Sequence, residues 1–200
     1  CEDFLNRPPE DSYTIDNFYQ TDEQCFQAAN MLYNAPWYDF QRGFIDMGDV
    51  MAGNVFKGTD NAYQSFNLNA SDENLTNASN SLWLVNGHCN AVIENIASKS
   101  GPNVSETTKN TVTGEAMVWK ATAYFFLVRG WGAVPIIHSN SEIIGNGSAL
   151  QLKKNRAEDV YEYIIRTLEK AAELLPAQNE PGRISKYSAY GLLAKVYLYK

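Results

Sequence analysis

The sequence predicts a mainly α-helical fold in which helical hairpins stack beside one long irregular segment, with little β-strand. Beyond residue 80, apolar residues recur at the 3.6-residue spacing of helices in four separate stretches. Between residues 36 and 78 no such period is visible, and glycine, asparagine and aspartate are frequent. Small residues also repeat between two of the later stretches, which favours close packing of helices. Together these observations indicate a helical body that carries a loop-rich part.

The chain begins at Cys1 with a polar, acidic and proline-containing segment. Too few apolar residues follow for this segment to pack as an element, so residues 1–15 are interpreted as a tether. In bacteria, a cysteine at this position typically follows removal of a signal peptide and receives lipid. We therefore predict lipid attachment at Cys1, with two or three acyl chains that would hold the protein at a membrane. The alternative is that the sequence simply starts at this residue.

The first predicted helix covers about residues 22–34, because Thr21 and Gln24 form a capping box before an apolar run. The stretch 36–78 follows without helical period. A loop of that length in a compact domain is usually functional or disordered, and its scattered aromatic residues favour an ordered segment. Within it, residues 63–68 alternate briefly as a strand does.

Four helices are predicted from residue 80 onward, with an extended piece at 133–137 between the second and the third. They cover about 80–100, about 106–129, a helix capped at 155–158 and halted by Pro176, and a helix that begins near Ser185. The last helix runs to Lys200 without a C-terminal cap. We therefore expect the native polypeptide to continue past this residue.

A weak repeat supports stacking of helical hairpins. Residues of the second of these helices recur 73 positions later in the fourth, where Ala116, Ala121 and Tyr124 become Ala189, Ala194 and Tyr197. Small residues at such intervals let antiparallel helices approach closely, as in tetratricopeptide arrays. Coincidence among common alanines is the alternative, but the matching helix–loop–helix pattern favours two hairpins.

Composition excludes several classes of function. The net charge of −7 and the pI near 4.8 argue against binding to nucleic acid or to anionic lipid, both of which require a basic face. No run approaches the roughly 18 apolar residues of a spanning helix. Aromatic residues make up 12% of the chain, enough to serve both a core and platforms for sugar rings. Cys25 and Cys89 are too few for a disulfide-built fold and are expected to be buried thiols.

The sequence contains no persuasive catalytic, metal or cofactor motif. Neither an H-E-x-x-H, a C-x-x-C nor a G-x-S-x-G pattern occurs, so we predict a protein that is not an enzyme and holds no cofactor. Asp46 and Asp49 could form a glycosidase pair or half of a calcium site. Carboxylates three positions apart in a stretch rich in asparagine and glycine are more often turn or cap residues.

Two blocks of residues resemble a signature of the SusD/RagB family. The first block contains Gly114-Glu115-Ala116, Ala121, Tyr124-Phe125, Leu127-Val128 and Trp131-Gly132-Ala133-Val134-Pro135. The second contains Arg156, Val160-Tyr161, Ile164, Leu168, Ala171, Leu174-Leu175-Pro176, Gly182-Arg183-Ile184-Ser185-Lys186, Ala189 and Leu193-Ala194-Lys195-Val196-Tyr197-Leu198-Tyr199. The likeness covers most of the chain and is weakest over 36–78. One departure is Lys120, where arginine is frequent.

The resemblance implies a lipoprotein on the surface of a Bacteroidetes outer membrane. Members of the family bind glycans or other nutrients and pass them to a SusC-like TonB-dependent transporter. They carry tetratricopeptide-like hairpins and are longer than this chain, so residues 16–200 would be the N-terminal portion of a SusD-like helical domain. Glu2-Asp3 resembles the acidic signal that directs such lipoproteins to the cell surface.

A candidate ligand site lies in the irregular segment. In starch-binding members of the family a loop at this point contributes an aromatic residue and an asparagine, and Asn54 and Phe56 are the analogues here. The segment offers aromatic faces for a sugar ring and polar side chains for its hydroxyls, so Asp60 and Tyr63 complete the predicted set. The alternative is that the aromatic residues simply belong to the core.

Two other functions are compatible with parts of the sequence. A tetratricopeptide-like scaffold that binds only proteins would explain the helices but not the aromatic residues at 36–78. A surface glycoside hydrolase would need two carboxylates at a fixed separation in a cleft. Peptide nutrients are as compatible as glycans with the visible residues.

Overall fold

A computed structural model describes residues 17–145 and 151–200 of the chain, apart from the side chain of Glu142. The predicted tether and Cys1 lie outside these residues. Seven α-helices occur in the described ranges: α1 Asp22–Asn30, α2 Phe40–Ile45, α3 Glu73–Lys99, α4 Glu106–Trp131, α5 Asn140–Gly145, α6 Ala157–Leu174 and α7 Lys186–Tyr199. They confirm the mainly helical fold, and the only ladder pairing in these ranges is a single bridge between Val134 and Asn155.

The four long helices pack in the order α3, α4, α6, α7, each against the next. Contacts at both ends show that α4 and α6 run antiparallel: Phe125 meets Tyr161 near one end, and Gly114 meets Leu175 near the other. A Cβ atom on Gly114 would lie 2.6 Å from Cγ of Leu175, so the glycine is what allows this close approach. Ile164 and Leu168 of α6 are fully buried in the same core.

The 73-residue repeat has different surroundings in its two copies. All three residues of the first copy are buried, whereas in the second copy only Ala189 is buried and Tyr197 is 53% exposed. The difference arises because α4 lies between α3 and α6, while α7 packs chiefly on α6. Five large side chains of α7 are exposed: Tyr187, Tyr190, Tyr197, Leu198 and Tyr199.

The irregular segment is more helical than the sequence predicts. A 3₁₀ turn at Ala35–Trp37 precedes α2, which continues as a π-helical turn at Asp46–Val50. These short elements lack an apolar period and depend on tertiary contacts. A Cβ atom on Gly43 would lie 2.4 Å from Cβ of Ala78, so α2 rests directly on α3 at this glycine.

Two further predictions in this segment need correction. Helix α3 begins at Glu73 instead of near residue 80, because the Asp72 carboxylate accepts the Leu75 amide at 2.9 Å and caps a polar first turn. Residues 63–66 lie in a turn, residues 67 and 68 are irregular, and none of the six is in a strand. There the Asn61 side chain accepts the amides of Tyr63 and Gln64 at 3.1 and 3.2 Å, which favours a turn over a ladder.

The predicted N-terminal caps of α1 and α7 are confirmed, whereas that of α6 is not. Thr21 caps α1, and Ser185 and Ser188 cap α7 reciprocally. Asn155 does not cap α6, since its side chain accepts the amide of Ile136 at 2.9 Å and fixes the extended piece before α5. Arg156 occupies the N-cap without a capping bond from its side chain, and its guanidinium instead donates to the carboxylate of Asp159 in the first turn at 2.9 and 3.0 Å.

Cys25 and Cys89 are free and fully buried, as expected. Lys120 is also buried, and desolvation lowers the pKa of its ammonium to about 8. Its Nζ donates to the side chain of Asn90, which in turn donates to the carbonyl of Ile137 at 3.2 Å. None of the helices in the described ranges is long and apolar enough to cross a membrane.

Candidate functional site

The predicted ligand residues lie on the loop that joins the π-helical turn to α3, residues 51–72. Asn54, Phe56 and Asp60 are exposed, and the Phe56 side chain is 73% exposed. Tyr63 differs from these three because it is only 2% exposed. The loop therefore presents two uncovered aromatic rings, Phe56 and Phe66, together with polar side chains, which is the mixture that a sugar requires.

Asn54 follows the left-handed residue Gly53, which ends the helical run with φ of +79°. The amides of Asn54 and Val55 both donate to the carbonyl of Asp49, at 2.9 and 3.2 Å. The side chains of Asn54 and Asp60 have no hydrogen-bond partner among the residues that the structure describes. Both polar groups are thus available to the hydroxyls of a ligand.

Tyr63 is enclosed at the base of the loop. Its hydroxyl donates to the Asp72 carboxylate, the same group that caps α3. Burial, together with this bond, raises the pKa of the Tyr63 phenol well above its usual value. The geometry gives Tyr63 a supporting position, in which its side chain joins the loop to the first turn of α3.

Lys57 joins the loop to the π-helical turn. Its Nζ forms an ion pair with the carboxylate of Asp46, whose side chain is 2% exposed, while the lysine side chain is 40% exposed. The other oxygen of Asp46 accepts a hydrogen bond from the side-chain Nδ2 of Asn74 at 3.0 Å. Asp46 is thereby fully engaged within the protein, and Asp49 is exposed at the surface.

An apolar groove of about 420 Å³ adjoins this loop. It is lined by α2 and its π-helical turn, by the end of α4 and by two leucines: Phe40, Phe44, Met47, Gly48, Met51, Leu68, Leu75, Phe126, Arg129, Gly130 and Trp131. The guanidinium of Arg129 stacks over the rings of Phe125 and Phe126, 4.0 and 4.8 Å from their centroids. The sequence pattern did not reveal this groove, because five of its eleven lining residues come from the unpredicted helix α2 and from the π-helical turn with its C-cap.

Sequence reasoning also missed Asp46, Lys57 and Asp72 as the groups that hold the loop. Only Asp72 had a usable signal, as a capping residue directly before a helix. The Asp46–Lys57 pair spans eleven positions without regular structure, so no spacing rule indicates it. No cluster of metal-ligating side chains occurs in the part of the chain that the structure describes.

Comparison with known proteins gives consistent results. The family model that matches residues 3–198 is SusD-like, described as starch-binding and associating with the outer membrane. A SusD-like protein of Bacteroides ovatus is 35% identical over 99% of this chain and 36% of its own length. SusD-like protein P38 of Formosa agariphila is 24% identical over 100% of the chain and 39% of its own length.

Solved structures give the same picture. A crystal structure determined with a xylogluco-oligosaccharide matches with a TM-score of 0.78 and 33% identity, over 87% of this chain and 34% of the other. A SusD-like protein of Bacteroides fragilis matches in fold with a TM-score of 0.73 and 24% identity, over 96% of this chain and 38% of the other. The chain spans little more than a third of the length of these relatives.

Proposed function

We propose that this chain, which belongs to the SusD-like family of starch-binding proteins associated with the outer membrane, captures a glycan at the bacterial cell surface. The observation that carries the proposal is the 33% identity to a structure determined with a xylogluco-oligosaccharide. The exposed Phe56 ring and the two unpartnered polar side chains of the 51–72 loop provide a chemical basis for it. The chain would supply one part of the binding site, and the rest would come from the region of the longer relatives that this chain does not span.

The loop contacts the sugar through Asn54, Phe56 and Asp60 in this proposal. The face of the Phe56 ring covers the apolar side of a pyranose, and the amide and carboxylate bind its hydroxyls, which is the usual division between apolar area and orienting polar groups. Tyr63 supports the loop from beneath through Asp72.

The protein acts by binding and without hydrolysis. A glycosidase needs two carboxyl groups that face the substrate at a fixed separation. Asp46 is buried and neutralised by Lys57, so it cannot serve as the partner of Asp49. Release of reducing sugar from an oligosaccharide by the purified protein would contradict this assignment.

Delivery of the glycan completes the proposal. A lipid anchor on Cys1 and the polar tether of residues 1–15 hold the protein at the outer membrane, beside a SusC-like TonB-dependent transporter that receives the ligand. The prediction is that the native N-terminal peptide carries acyl chains and that Cys1→Ala releases the protein from the membrane fraction. Mass spectrometry and fractionation measure both, and an unacylated native Cys1 would contradict the anchor.

Loss of the exposed loop contacts should weaken glycan binding. We expect the Asn54→Ala, Phe56→Ala double variant of the full-length protein to bind a xylogluco-oligosaccharide about tenfold more weakly, a loss of about 1.4 kcal/mol. Titration calorimetry measures the affinity. The matched control is Tyr187→Ala, which removes a 65% exposed ring from α7, outside the loop. Equal affinity of the double variant and the wild type would remove this loop from the site.

A further inference from the structure

We propose that the Asp46–Lys57 ion pair is a positioning device that holds the Phe56 ring in place for the glycan. Lys57 would act through Phe56 and would not itself contact the ligand. The inference rests on the proposed function, because it concerns the same loop. Four features of the structure support it.

The chain is fixed immediately before Phe56. The Asn54 and Val55 amides share the carbonyl of Asp49, so the backbone on the N-terminal side of the ring is bonded to the π-helical turn. Gly53, with its positive φ, lets the chain fold back onto that carbonyl. Without a second attachment on the other side of Phe56, the ring could still swing about this point.

The chain is fixed again immediately after Phe56. The Lys57 ammonium binds Asp46, and the Lys57 amide donates to the side chain of Gln64 at 3.3 Å. Phe56 therefore lies between two attached residues, while its own side chain is 73% exposed. The Phe56 ring is exposed, and its backbone is held on both sides. This arrangement is typical of a preorganised contact, because the loop loses its conformational entropy on folding and not on binding the ligand.

Asp46 is a buried carboxylate that is paired with Lys57. A buried carboxylate is strongly unfavourable unless it is paired, and in the described residues Lys57 is its only cationic partner. Asn74 of α3 binds the second oxygen and fixes the carboxylate to the helical body. The ion pair, together with the bond from Asn74, therefore fixes the position of the loop relative to α3.

The local charge argues against Lys57 as an anion contact. Residues 39–73 contain six acidic and two basic residues, a net charge of −4. Asp46 already neutralises the ammonium of Lys57. These charges favour an uncharged glycan over a uronate or a sulfated sugar as the ligand of this loop.

Hydrogen exchange tests the attachment without any ligand. In Lys57→Met, the Asn54 and Val55 amides should exchange about fivefold faster than in the wild type, since the loop opens locally. Lys57→Arg should restore slow exchange because it keeps the charge. Lys170→Met, which removes the exposed lysine paired with Glu173 on α6, is the matched control and should change nothing at the loop. Wild-type exchange rates in Lys57→Met would overturn the proposal.

Calorimetry with a xylogluco-oligosaccharide and the full-length protein tests the action through Phe56. Lys57→Met in the wild-type background should weaken binding of the oligosaccharide about tenfold. In a Phe56→Ala background, the same substitution should weaken binding by less than about twofold. Equal losses in both backgrounds would mean that Lys57 contacts the ligand itself, which overturns the positioning role. Absence of wild-type binding contradicts the proposed function. Wild-type binding that Lys57→Met leaves unchanged contradicts only the present inference.

Discussion

Replacing Arg183 by alanine is expected to lower the free energy of unfolding by about 3–5 kcal/mol, because it leaves a buried carboxylate without its cation. That carboxylate belongs to Glu115 of α4, which is fully buried. Arg183 donates to its two oxygens from Nε at 2.8 Å and from Nη2 at 2.7 Å. Such a two-pronged bond combines charge with fixed geometry.

The same guanidinium also holds α1. It stacks over the rings of Phe26 and Tyr33, 4.7 and 5.5 Å from their centroids, and donates to the side chain of Asn30 at 2.6 Å. Arg183 therefore joins α1, α4 and the connection before α7 through one side chain. Its loss should loosen α1 as well as expose the unpaired Glu115.

Denaturant unfolding followed by circular dichroism measures the change. The matched control is Arg166→Ala, whose ion pair with Glu162 lies at the surface and contributes far less to stability. Adding Glu115→Gln to Arg183→Ala should recover part of the loss, since a buried amide costs less than an unpaired buried charge. Similar losses for the two arginine variants would contradict the assigned role.

Replacing Tyr124 by alanine is expected to cost about 3–5 kcal/mol of unfolding free energy, as for other large aromatic residues removed from a core. The side chain is fully buried in α4, with its ring edge-on to Trp83 and Tyr163 at centroid distances of 6.0 and 5.3 Å. The hydroxyl accepts the amide of Ile137 at 2.8 Å and donates to the carbonyl of Pro135 at 3.3 Å. Ring and hydroxyl together anchor the extended piece after α4.

Tyr124→Phe separates the two contributions. It keeps the ring and removes the hydroxyl, so we expect a loss of about 1–2 kcal/mol from the two hydrogen bonds. Tyr190→Ala serves as the control for removal of an aromatic ring, because Tyr190 is 49% exposed on α7. Thermal and denaturant unfolding measure all three variants. A loss in Tyr124→Phe as large as that in Tyr124→Ala would show that packing of the ring contributes little.

The long helices could be predicted because their signals are local. The apolar spacing of α4 and α6 and the serine caps before α4 and α7 depend only on neighbouring residues. Helix α2 carries no such pattern, and the first turns of α3 have the Asp72 cap but no apolar period. They form because Gly43 lets one helix lie against Ala78 of the other, a contact between residues 35 positions apart (78 − 43) that no local window contains.

The candidate site shows the same limit. The composition of the loop was enough to predict exposed polar and aromatic residues, and Asn54, Phe56 and Asp60 are exposed. The burial of Tyr63 depends on Asp72, and the attachment of Lys57 depends on Asp46. Both partners are reached through irregular backbone, where sequence distance does not fix spatial distance.

The two buried cysteines can report on local opening of the structure. Burial raises the pKa of both thiols, so neither Cys25 in α1 nor Cys89 in α3 presents a thiolate to an alkylating reagent while its helix stays packed. Cys25 would become reactive when α1 detaches, whereas Cys89 requires the centre of the helical stack to open. The order in which the two thiols are alkylated therefore shows whether α1 detaches before the core of the helical stack opens.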